Sequence, residues 1–357
     1  MEPTYRPLTR ATRDYQGAEQ VAVPLAPVPA CRTDEIVSRM RPFRFLGHVA
    51  PGVAGTRELT ETSRRAEAIG YDVLVLPDHL IEQHAPIPLL TMVAAVTERV
   101  RVGTFVFNVD LRHPAVLAQD LASLDVLSGG RLEIGIGAGW NRAEYDAVGV
   151  RFDPAGTRVE RLGEAIAVLK GCFGEGPFSF DGTHYTIAGH DGFPKPTQRP
   201  HPPIFVGGGG RKILTMAGQQ ADIIGLAPRL MRTAKDGTVP DPHSITAAGT
   251  EEKIAWIKAA AGDRFDQIEL NAYPTAGPVI VTNQARPAAK ERAEQLSKRT
   301  GVEVTADDVL ESPHAFIGSI DGLTQKFIEM RERFGISSIM VGEIDPLAPV
   351  VERLAGT

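Results

Sequence analysis

The residues best suited to chemistry in this chain fall into a few short clusters. Four consecutive glycines, Gly207, Gly208, Gly209 and Gly210, precede Arg211 and Lys212 and then a segment with helical period. Glycine lets backbone N–H groups approach a ligand closely, and a helix N-terminus favours negative charge, so this run suits a phosphate or another anion. The same run would also serve as a plain strand-to-helix turn with two solvated cations. Asp78 and His79 stand side by side, and an imidazole near neutral pH can take or give a proton. The alternative is that Asp78 caps a turn and His79 only hydrogen-bonds backbone. His48 has a weaker claim to the same role. Gly137-Ala138-Gly139-Trp140-Asn141 puts one of only two tryptophans in a loop, where its indole can stack on a flat ring system or act as a packing lid. Asn108, Asp110, Arg112 and His113 form a further polar group, in which His113, directly before Pro114, reads as a helix cap.

Other chemistries lack their residues. There is no serine nucleophile elbow, no His-Glu-x-x-His and no grouped His/Cys/carboxylate set, so no metal is expected. The two cysteines, Cys31 and Cys172, lie far apart and imply no disulfide framework, which makes a reducing cytoplasm the expected setting. A net charge of −6 argues against nucleic acid as a partner. No stretch approaches the ~20 apolar residues of a membrane helix. A small-molecule substrate is the expected partner, with neither nucleic acid nor membrane.

These clusters need a scaffold that brings them together. From Pro42 onward, short β-branched runs alternate with longer helix-period segments, the pattern of parallel βα units. The strand candidates are Phe43–Val49, Asp72–Leu76, Val100–Phe107, Leu132–Ile136, Pro203–Val206, Asp222–Leu226, Ile268–Tyr273 and Ser337–Val341. Helical segments between them include Thr56–Ile69, Pro114–Leu127, Arg158–Phe173, Thr250–Ala261 and Asp321–Phe334. Eight such strands fit a (β/α)8 barrel or a doubly wound sheet. No Gly-x-Gly-x-x-Gly follows the first strand, and the barrel is favoured. In a barrel the site lies at the carboxyl ends of the strands, where every cluster named above falls, together with Asn271, Tyr273 and Glu343.

Two stretches exceed a minimal barrel. Phe178–Ile187 reads as a hairpin turning at Asp181-Gly182. Residues 228–248 carry no apolar period and are expected to form an exposed lid loop. Residues 1–40 read as a flexible arm or a start-site extension, and residues 41–357 as the catalytic domain.

On these residues the chain resembles the bacterial luciferase-like monooxygenase superfamily, in particular its actinobacterial branch of F420-dependent oxidoreductases. The resemblance is carried by GYDVLVLPDHL at 70–80, RVRVGTFVFNVDLRHPAVLAQDLASLDVLSGGRLEIGIGAGW at 99–140 and RVERLGEAIAVLKGCF at 158–173. It continues through FDGTHYTI at 180–187, PPIFVGGGGRKILTMAGQQADIIG at 202–225 and SPHAFIGSIDGLTQKFIEMRERFGIS at 312–337. It implies a (β/α)8 TIM barrel with insertions, and a deazaflavin (F420) or, alternatively, reduced FMN lying across its mouth. The phosphate would be held near Gly208, Gly209, Gly210 and Arg211, and the catalytic pair Asp78 and His79 would stand near the reactive carbon of the ring. Ala138, Gly139 and Trp140 would contact the ring or its ribityl chain. Some relatives carry a catalytic glutamate at the position of Trp140, so their proton donor is absent here. Deazaflavin relatives also tend to have a non-prolyl cis peptide in a bulge of strand three, which would fall near Phe105–Val106 and support one face of the ring.

The implied reaction is hydride transfer between the cofactor and a small organic substrate. His79 would transfer the proton, Phe107 and Trp140 would form apolar walls, and Asn108 would position the ring edge. A reduced-FMN monooxygenase is the alternative, and a non-catalytic flavin-binding protein a third reading. Residues 141–157 and 228–248 would set the substrate, and a homodimer is expected from the habit of relatives.

Overall fold

The structure is a computed structural model that describes residues 40–49, 52, 54–232 and 238–357. The expected N-terminal arm falls almost wholly outside the described residues. Arg41–Thr357 form one compact unit.

Eight parallel strand positions close into a barrel. They are β1 (Arg44–His48), β2 (Val73–Leu76), β3 with β4 (Arg101–Thr104 and Phe107–Asn108), β5 (Leu132–Gly137), β8 (Ile204–Gly208), β9 (Ile223–Leu226), β12 (Glu269–Ala272) and β15 (Ile336–Gly342). The hydrogen-bonded order is β3-β2-β1-β15-β12-β9-β8-β5-β4, and a β3–β5 pairing closes the ring. All eight expected strands are present. The third is interrupted, and the peptide bond Phe105–Val106 inside the interruption is cis, as the family likeness implies.

The helices run between strands on the outside. Helix α1 (Thr56–Ile69) ends at Gly70, whose φ of 107° turns the chain so that the Tyr71 N–H also reaches back to the Ala66 carbonyl. Helix α2 (Pro86–Val96) precedes β3. Helix α3 (Pro114–Leu127) starts with proline in its first turn, and His113 Nδ1 accepts from the Ala115 N–H at 3.3 Å, the cap its position suggests. Helices α4 (Arg142–Val148) and α5 (Ala155–Phe173) follow β5. Helix α6 (Arg211–Gln220) follows β8. No helix among the described residues is long and apolar enough to cross a membrane.

The insertions have more structure than their composition suggests. The hairpin β6 (Phe178–Asp181) and β7 (Thr186–His190) is antiparallel, as expected. Its turn spans more than two residues, because the Glu164 carboxylate of α5 accepts the N–H groups of Thr183, His184 and Tyr185. The segment 228–248 is not a structureless loop. It contains the antiparallel pair β10 (Leu230–Arg232) and β11 (Thr238–Pro240), the one-turn helix α7 (Pro242–Ile245) and the start of α8 (Ala247–Ala261). Arg229 clamps Asp241 across the base of this segment, and that long-range pairing is invisible to a search for apolar period. After β12 come the short strand β13 (Ile280–Val281), helices α9 (Ala285–Thr300) and α10 (Ala306–Glu311), and β14 (Ile317–Gly318), which pairs with β13. Helix α11 (Ile320–Phe334) leads into β15, and α12 (Ala348–Leu354) closes the described fold.

Strand alternation separates the barrel interior from the helix layer. Phe45, Leu74, Leu76, Ile134, Ile136, Ile339 and Val341 join the large outer core against the helices. Leu46, Val73, Val75 and Met340 form a separate inner cluster, with Phe105 and Tyr273 packed on it. Below that cluster lies an ionic layer. The Arg44 guanidinium bonds Glu133 and, at 2.7 Å, Glu269, while Arg101 Nε donates to Glu133 at 2.7 Å. Burial pushes the Glu269 carboxyl upward, and the neighbouring Arg44 charge opposes that push.

The same register puts five glycines on one arc of the interior. Gly103, Gly135, Gly137, Gly207 and Gly225 occupy inward positions on β3, β5, β8 and β9. The vacated volume is taken partly by the Phe205 ring and partly by Val106 and neighbouring backbone. A Cβ on Gly225 would enter the Phe205 ring, and one on Gly137 would lie 2.7 Å from a Val106 methyl.

Candidate active site

The floor of the mouth is aromatic. The Phe105 ring sits 4.9 Å from that of Phe205 and 5.0 Å, edge-on, from that of Tyr273. Phe107 is fully buried in the outer core rather than on the mouth, so it cannot be the apolar wall expected of it. Its place in the alternation, two residues beyond the cis bond, sends its ring outward. Asn271 also differs from expectation. It is wholly buried within the barrel and donates from Nδ2 to Ser338 Oγ at 2.8 Å.

Asp78 and His79 lie at the mouth but face different partners. Asp78 is 4% exposed, with both oxygens on Arg112 at 2.6 and 3.1 Å and one of them accepting the Asn108 N–H at 3.1 Å. The His79 ring meets the edge of Trp140, centroid to centroid 5.8 Å, and its Nδ1 lies 2.8 Å from Glu144 Oε1. Trp140 is 58% exposed, so its indole is a surface at the mouth and not a core contact. His48 ends β1 on the inward side, and burial holds its imidazole down at about 4, so it is neutral near pH 7.

The loop after β5 is built tightly around glycine. Gly139 has φ +69°, and a Cβ there would enter the Tyr145 hydroxyl. That hydroxyl donates to Asn108 Oδ1 at 2.9 Å or Asp110 Oδ2 at 2.8 Å, and burial pushes its ionisation above the usual phenol range. Arg158, stacked 4.1 Å over Phe152, donates to the carbonyls of Ala138 and Gly139. Asn108 Oδ1 also accepts the Asp110 N–H, so its side chain presents only Nδ2 to a ligand.

The glycine turn has two distinct characters. A Cβ at Gly209 would enter the carbonyl of Pro228, whereas Gly210, the N-cap of α6, has nothing within 4 Å on that side. Arg211 opens the helix and is exposed, while Lys212 is committed to Glu160 at 2.6 Å. An open N-cap with a cation beside it fits a phosphate, and the aromatic floor fits a planar ring.

Sequence reasoning missed Glu144, Tyr145 and Arg158. Glu144 carried one signal, because Asn141-x-x-Glu144 has the spacing of a helix-start pair.

This is a parallel eight-stranded barrel with an anion-ready glycine turn and an imidazole at one mouth. The sequence profile of luciferase-like monooxygenases matches residues 40–316, and the chain belongs to that family. It is 33% identical over 189 residues to an F420-dependent glucose-6-phosphate dehydrogenase of Microbacterium testaceum, covering 51% of this chain and 55% of that protein. It is 34% identical over 216 residues to an FMNH(2)-dependent dimethylsulfone monooxygenase of Pseudomonas putida, covering 60% and 54%. The chain thus spans about half the length of the curated relatives it matches. Among solved structures, an F420-dependent secondary alcohol dehydrogenase in complex with an F420-acetone adduct superposes with a TM-score of 0.66 at 17% identity, covering 88% of this chain and 98% of that one. The EDTA monooxygenase of Chelativorans does so with 0.69 at 13%, covering 89% and 95%. At these identities the structural likeness concerns the fold.

Proposed function

We propose that the chain is an F420-dependent oxidoreductase that moves a hydride between the deazaflavin and a small organic substrate. The observation that carries this reading is the position of His79, a partly exposed imidazole at the mouth, beside Trp140 and above an aromatic floor. When bound, the deazaflavin supplies hydride exchange at its C5 carbon. The chain does the rest. The N–H groups of Gly208, Gly209 and Gly210, with Arg211, bind the phosphate. Phe105, Val106 and Gly207 support the ring, Ala138, Gly139 and Trp140 flank it, and Asn108 Nδ2 meets its edge. His79 carries the proton that accompanies the hydride, and Asp78 holds Asn108 and Arg112 in place.

The second reading, a reduced-FMN monooxygenase, is favoured by the likeness to the Pseudomonas enzyme. The two separate on binding. Titration of the purified protein with F420 and FMN, oxidised and reduced, followed by fluorescence, is expected to give F420 several-fold tighter. A preference for FMN would reverse the reading.

A further inference from the structure

Glu144, in the first turn of α4, is 8% exposed and surrounded by donors. Its Oε1 lies 2.8 Å from His79 Nδ1 and also receives the Asn141 side-chain amide, while its Oε2 accepts the Leu80 N–H at 3.2 Å. With two N–H donors already on it, the carboxylate serves as acceptor towards His79 as well, which puts the hydrogen of that contact on Nδ1. A neutral ring that donates from Nδ1 has its lone pair on Nε2. The ring is steadied from a second direction by the edge-on contact with Trp140.

We propose that Glu144 is the positioning residue that makes His79 a base. It fixes the ring, selects the tautomer whose Nε2 is unprotonated, and stabilises the imidazolium once that nitrogen has taken a proton. An alcohol oxidised at this site would give its hydroxyl proton to His79 Nε2 while the bound deazaflavin would supply the acceptor for the carbinol hydride, and the reverse reduction would use the same nitrogen as the acid. This step rests on the hydride-transfer reading above, whereas the tautomer assignment does not.

A structural alternative exists, because Glu144 also tethers the Leu80 amide and sits in a helix first turn, where acidic residues are favoured anyway. The two roles are separated by nitrogen NMR of ligand-free protein carrying 15N-histidine, with His79 assigned through His79→Asn. Above neutral pH the wild type is expected to show His79 protonated at Nδ1. Glu144→Gln, checked for folding by circular dichroism, is expected to shift it to the Nε2-protonated form that free imidazoles prefer, and Glu144→Asp to retain Nδ1. With F420 and secondary alcohols of graded size, Glu144→Gln is expected to lose about 100-fold in kcat with KM within about threefold, the scale of general-base catalysis. An Nε2-protonated His79 in the wild type, or a tautomer unchanged in Glu144→Gln, overturns the proposal. The expected tautomers without F420 binding would sink the hydride-transfer reading alone.

Discussion

Arg112 grips both carboxylate oxygens of Asp78, at 2.6 and 3.1 Å, and so ties the loop after β2 to the loop after β4. The same carboxylate receives the Asn108 N–H, which fixes the residue that would meet the ring edge. Asp78→Ala strands a guanidinium and a buried amide together, and the expected cost is about 3 kcal/mol, with weaker cofactor binding. Urea unfolding measures the first and fluorescence titration the second. In a double-mutant cycle with Arg112→Ala, coupling of more than ~1 kcal/mol is expected, and coupling near zero would make the pair a bystander.

The glycine turn offers a sharper contrast. Gly209→Ala drives a methyl into the Pro228 carbonyl, so the turn must open, while Gly210→Ala meets open space. The first variant is expected to lose at least ~1 kcal/mol of stability and most F420 affinity. The second should melt like the wild type and lose affinity only as far as a methyl crowds the phosphate. Equal melting temperatures for the two variants would count against this account.

Much of this was legible in advance, for physical reasons. The eight strands read clearly because parallel strands buried on both faces are runs such as Val73–Leu76 and Ile204–Val206. The Asp78–His79 pair and the glycine turn were visible because each is contiguous in the chain. Glu144 was not, since it meets His79 across 65 positions and nothing local predicts that contact. Phe107 was misplaced because the break in the third strand fixes which way the following side chain points. The β10–β11 pairing in 228–248 is held by Arg229 and Asp241, residues whose type suggested only a polar loop.

Acid should act through His48. Burial depresses its imidazole to about 4, below the ~6.5 of an unfolded chain, so its contribution is whole above pH about 6.5 and is lost as pH falls towards 4. The full span is about 3 kcal/mol. Chemical denaturation of His48→Gln between pH 7 and 4 is expected to show a slope flatter than the wild type by that amount. Parallel slopes would refute the burial effect.

The ionic layer at the lower end of the barrel predicts an inverted pH response. Arg44→Met leaves Glu133 and Glu269 facing each other without their shared cation. The expected loss is about 3–5 kcal/mol near pH 7. Burial already pushes the Glu269 carboxyl upward, and without the opposing Arg44 charge it would titrate above its unfolded value, so the deficit should shrink as pH falls towards 5. Unfolding free energies at pH 7 and pH 5 check this, and a deficit that grows on acidification would contradict it.

The lopsided interior gives the barrel an adjustable stopper. Along one arc, Gly207 and Gly225 give their space to the Phe205 ring, on which Phe105 packs, while neighbouring residues of the same strands join the core against the helices. Beside Gly225 on the neighbouring strand, Asn271 holds a carbonyl oxygen without a partner among the described residues. Shaving Phe205 to a smaller side chain would therefore free the space at Gly225, next to Asn271, without removing a residue of the outer core. Depth of the cavity and strength of the shell are set by different residues, which allows one scaffold to be retuned for ligands of different reach.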